Sequence, residues 1–212
     1  MSGIAVRPSG KRSYKRIALI STEGSRTEVD YFSRFNSRYL HVVPLSHRNK
    51  TSPVQVLARL KAGLSNFRLQ AGDYAWMVID RDDWPSADID KCEAWVREPH
   101  EFPHLRKGMS LSNPKFEFWL LLHFEDGSRH QGARSCVDAL KAHLPDYDKS
   151  LNRSDLSDDM VLQAISHARR LWGAEETTAW PRTPGRTNVF ELCEELRRVT
   201  EEEMLKEQAA FA

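Results

Sequence analysis

The chain is poor in cysteine, with three in 212 residues. Cys92, Cys136 and Cys193 are odd in number and lie more than forty positions apart, so they fit neither a disulfide framework nor a zinc knuckle. That usage is expected of a protein kept in a reducing cytoplasm. Long apolar runs are also missing. Ile17–Ile20 is too short for a signal segment, and Phe118–Phe124 falls far below the ~18 residues of a membrane span. The sequence therefore predicts a cytoplasmic protein with no membrane contact. Charge of one sign is nearly absent: 31 Lys and Arg against 30 Asp and Glu give a net charge of +1. With no overall field to attract a polyanion, contact with nucleic acid has to come from a local patch. Three enzyme signatures are absent as well. Without a G-x-x-x-x-G-K-[ST] loop the chain should not hydrolyse ATP by itself, and without G-x-G-x-x-G after a strand it is not a dinucleotide enzyme. A serine hydrolase would need a nucleophile elbow, which is not there.

What is present describes an ordinary globular chain: 40% hydrophobic, 29% charged, with ten glycines and ten prolines. Residues 1–15 carry Arg7, Lys11, Arg12 and Lys15 and no acid, and Pro8 and Gly10 interrupt any helix, so a basic flexible arm is expected. Residues 16–130 alternate strand and helix patterns. Ile17–Ser21, Leu40–Leu45, Tyr74–Ile79 and Arg106–Leu111 read as strands. Helices are expected from about Ser25, where Ser25 and Glu28 form an S-x-x-E capping box, from Pro53, over Asp88–Arg97 and over Lys115–Phe124, with Asn113 as cap and Pro114 at the first helical position. Residues 131–212 read as a helical C-terminal extension packed on this core, with helices over about Ala133–His143, Leu156–Trp172 and Val189–Lys206. The alternation predicts an α/β fold: a mostly parallel sheet of about four strands with helices on both faces.

In such a sheet, ligands bind beyond the carboxyl ends of the strands. Acids stand at three of those ends: Glu23 after the first strand, Asp80, Asp82 and Asp83 after the third, and Glu117 in the helix after the fourth. Gathered carboxylates repel one another unless a divalent cation lies between them, and hard oxygen ligands select Mg²⁺ or Mn²⁺. Such an ion can polarise a phosphoryl oxygen and activate water, while a free carboxylate serves as general base. Each acid also has a plainer reading: Glu23 as a solvated loop residue, the aspartates as turn or cap residues, and Glu117 as half of an internal ion pair. Arg26, Lys115, Lys11 and Arg12 are the candidate phosphate contacts. Trp84 and Trp180, beside prolines, could stack on bases or simply belong to the core. His123, on an apolar helix, reads as a hydrogen-bonded core residue.

Three stretches resemble the RloB-like family. Glu23-Gly24, Thr27-Glu28 and Tyr31-Phe32 are similar to its opening signature. Val78–Asp83 and Ser112–Phe124 continue the likeness, and Thr187-Asn188-Val189 fits its later part. The resemblance spans about Arg16–Leu196. It implies a Toprim-like fold, with Glu23 as metal ligand or general acid/base, Asp80 and Asp82 holding Mg²⁺ or Mn²⁺, and Asp83 and Glu117 as secondary acids. It further implies a metal-dependent nuclease acting on DNA or RNA in anti-phage defence, beside an ATPase of the same locus. The alternative is a non-catalytic adaptor or nucleic-acid-binding subunit of such a complex; nucleotidyl transfer is a third reading. A homo-oligomer is left open.

Overall fold

The computed structural model describes residues 14–49, 51–173 and 180–211. Among these residues, five strands form one sheet: β1 (Arg16–Thr22), β2 (Leu40–Leu45), β3 (Tyr74–Asp80), β4 (Arg106–Asn113) and β5 (Arg186–Thr187). Their order is β2-β1-β3-β4-β5. The first four run parallel, and β5 pairs antiparallel with the end of β4, Ser112 against Thr187. The fold is thus α/β and mostly parallel, consistent with a Toprim-like arrangement, with one short strand more than the sequence pattern indicates. Two residues are too few to show a period, which is why β5 reads as loop.

Among the described residues, seven α-helices accompany the sheet: α1 (Thr27–Ser33), α2 (Pro53–Leu64), α3 (Ser86–Arg97), α4 (Phe116–Leu121), α5 (Ala133–His143), α6 (Asp158–Trp172) and α7 (Val189–Phe211). Side chains alternate across a strand, so β1, β2 and β3 supply both cores. Ala18, Ile20, Trp76 and Val78 face a large core with α1, α4, α5, α6 and α7. Leu19, Ala75, Met77, Ile79 and Leu111 face a second core with α2 and α3. The buried apolar run of β3 is what a strand covered on both faces requires. Gly108 in β4 makes room for an indole: a Cβ there would stand 2.3 Å from the Trp76 ring, whose Nε1 donates to Ser110 Oγ at 2.9 Å. The three cysteines are buried and free. No described helix is long and apolar enough to cross a membrane.

Several helix starts differ from the sequence reading, among them α3, which begins at Ser86 rather than Asp88. α1 begins at Thr27 rather than Ser25, with no side-chain cap, because Glu28 reaches back to the Gly24 N–H instead (3.0 Å). Asn113 ends β4 rather than capping a helix; its Nδ2 donates to Arg182 O at 3.1 Å, and α4 starts only at Phe116 after Lys115. The helices read at Ala133–His143 and from Val189 start where expected, whereas the one read from Leu156 begins at Asp158, capped by Ser157.

Candidate acidic cleft at the sheet rim

β1 is followed by α1 on one face of the sheet and β3 by α3 on the other, and the two strands are neighbours. Chains leaving adjacent strand ends in opposite directions leave a crevice between them. Here it is a cleft of about 300 Å³ lined by Glu23, Glu28, Asp80, Asp82 and Glu117 together with Arg26, His47, Arg48, Lys115 and Lys149. The sequence therefore predicted four of the five lining acids and two of the cations. Asp83 is exposed and not part of the lining, although its charge acts on Asp82. Lys11 and Arg12 lie outside the described residues.

Glu23 is 8% exposed and held from two sides. The peptide N–H of Asp80 donates to its Oε2 at 3.0 Å, and Trp84 Nε1 donates to Oε1 at 3.2 Å. Trp84 is thereby bound to an acid of the cleft, while Trp180 is 1% exposed and belongs to the second core. Burial outweighs these hydrogen bonds and pushes the Glu23 carboxyl up to about 7, with Asp82 and Glu28 adding to the rise. Asp80 is raised well above the usual aspartate value, first by loss of water around its carboxyl, then by the charges of Glu28, Glu23, Glu117 and Asp82. Glu28 is buried and raised for the same first reason. Asp82, exposed at the rim, has a φ of +32°, a region Asp tolerates because its short side chain can bond locally. Its N–H donates to Pro114 O at 3.1 Å, and the Arg81 N–H to Ser112 O at 2.8 Å, which fixes this loop to the end of β4.

Glu28 is the acid that the sequence reading placed wrongly, as a capping residue. Its carboxylate occupies the space a side chain on Gly24 would need: a Cβ there would stand 2.1 Å from Glu28 Oε2. The Glu-Gly and Thr-Glu pairs of the first signature are thus one packing unit. Glu117, 7% exposed, takes its hydrogen bond from Tyr147 OH at 3.2 Å rather than from an arginine or lysine. His123, also buried, meets Tyr31 OH at 3.1 Å and stays in the core.

The same signature residues lie within a family match. The model of the RloB-like protein family matches residues 18–196. The chain belongs to the RloB-like family. No curated protein and no solved structure matches it. The five acids of this RloB-like cleft offer oxygen donors, as a hard divalent cation requires, and His47 on the same wall adds an imidazole. Among the described residues, no three His, Cys, Asp or Glu side chains already stand as a ready-made ligand group.

Proposed function

We propose that this RloB-like protein is a Mg²⁺- or Mn²⁺-dependent phosphodiesterase that cuts DNA or RNA, acting in anti-phage defence beside an ATPase. The observation that carries the reading is the junction of β1 and β3, where the buried Glu23 carboxylate accepts the Asp80 peptide N–H within one acid-lined cleft. Asp80 and Asp82 would hold the cation with Glu117 as a further ligand, Glu23 would be metal ligand or general acid/base, and Asp83, outside the lining, would contribute charge alone. The bound ion supplies a Lewis acid for a phosphoryl oxygen and lowers the pKa of water. Where Glu23 is not itself a ligand, its carboxyl, held up at about 7 by burial in the metal-free protein, would suit a general acid/base near neutral pH. Arg26, Arg48 and Lys149 are exposed on the cleft wall, beside the half-buried Lys115, and suit phosphate oxygens that flank the reacting one.

Purified protein, alone and with its partner ATPase, is expected to degrade DNA or RNA when Mn²⁺ or Mg²⁺ is added. Glu23→Ala and Asp80→Ala are expected to leave no cleavage above background. Cleavage undiminished in both variants would end the assignment. The second reading is a non-catalytic adaptor. An adaptor binds nucleic acid or the ATPase equally well with and without Asp80 and Asp82, and cuts nothing.

A further inference from the structure

The acids of the cleft come from the α/β part of the chain, but one of them is held by a residue far away in sequence. After α5 the chain turns back over the sheet rim and places the Tyr147 ring against the α4 side of the large core, 7% exposed. Its hydroxyl donates to Glu117 Oε1 at 3.2 Å and lies 3.0 Å from Thr27 Oγ1. The one Thr27 hydroxyl proton serves either the Tyr147 oxygen or the carbonyl of Lys149, both at 3.0 Å, and the Leu151 N–H donates to Asp30 at 3.2 Å. The segment is therefore pinned to α1 on both sides of Lys149, and Lys149 itself lines the cleft.

A buried carboxylate is costly to leave unpaired, so a lone hydrogen-bond donor both satisfies it and biases its orientation. Glu117 has no cation within ion-pairing distance among the described residues; Tyr147 is its hydrogen-bond partner. We propose that Tyr147 is a positioning residue of the acidic cleft. Through Glu117 Oε1 it fixes the carboxylate of α4, so that the remaining lone pairs of Glu117 serve a divalent cation. This rests on the metal-dependent reading above. Outer partners that orient carboxylate or imidazole ligands typically contribute 10- to 100-fold in metal affinity.

The test is a double-mutant cycle read by the electron paramagnetic resonance of free Mn²⁺, with the full chain and no nucleic acid. Tyr147→Phe keeps the ring and removes only the hydroxyl. It is expected to weaken Mn²⁺ binding about tenfold in the native background and less than twofold in a Glu117→Gln background. The thermal midpoint, measured on the same samples, checks that Tyr147→Phe is folded. Native affinity in Tyr147→Phe overturns the proposal, and so does an equal loss in both backgrounds, which would mark a general packing effect. If Tyr147→Phe does not fold, Thr27→Val takes its place, with the same loss expected because the neighbouring hydroxyl no longer fixes Tyr147; native affinity there also overturns it. A wild-type chain that binds no Mn²⁺ overturns the metal-dependent reading, and the role of Tyr147 falls with it. Native Mn²⁺ binding together with an unaffected Tyr147→Phe removes the positioning role alone.

Discussion

A carboxyl raised by burial links the chemistry of the cleft to the stability of the fold. The Glu23 carboxyl moves from an ordinary value of 4.5 to about 7 in the folded protein. Between those values the folded state keeps a proton that the unfolded chain has released. Stability from this group is therefore complete below pH 4.5 and is lost as pH rises through 7. The size is on the order of 3 kcal/mol. Denaturant unfolding of metal-free protein is expected to show stability falling across this window, and Glu23→Gln to flatten the fall. Asp80, Glu28 and Asp82 shift in the same direction, so a residual slope should remain. An identical slope in wild type and variant would mean that Glu23 titrates normally. Sequence patterning found Glu23 because it directly follows a strand. It misassigned Glu28, whose carboxylate turns back to Gly24 instead of serving the start of α1.

At the scale of elements, the junction of β4, β5 and α7 explains the Thr187-Asn188-Val189 stretch. Asn188 is 1% exposed and completes the edge of β4 with its side chain. Leu111 N–H donates to its Oδ1 at 2.6 Å, and its Nδ2 donates to Met109 O at 3.0 Å. A side-chain amide thus does what another strand's peptide would do. Replacing it leaves a buried donor and a buried acceptor unmatched, at roughly 1–3 kcal/mol each. Asn188→Ala is expected to lower unfolding free energy by about 3 kcal/mol in urea, well beyond an exposed substitution such as Leu205→Ala on the helix that follows. Equal effects of the two would show that the amide bonds contribute nothing. The helices of the second half were legible from their apolar spacing alone. β5 was not, since its place is set by pairing with Ser112 and Asn113 rather than by its own residues.

For the whole molecule, the cleft gathers like charges that the fold must hold together, so a bound cation should stabilise the folded state. At a hundredfold excess over its dissociation constant, an ion that binds only the folded state adds about 2.7 kcal/mol. For a chain of this length that corresponds to a rise of roughly 5–10 °C in the thermal midpoint. Calorimetry is expected to show this rise with Mn²⁺ for wild type and not for Asp80→Ala; an equal rise in both would put the ion elsewhere. By itself, the sequence determined the α/β class, the parallel strands and the acids at their carboxyl ends, because hydrophobic period and strand-end position are local properties of the chain. Only the tertiary structure decided that Glu28 joins those acids, that Tyr147 holds Glu117 and that Lys149 reaches the same wall. These depend on packing between segments up to about 120 positions apart, and no local spacing encodes which distant side chain a folded chain brings to a given carboxylate.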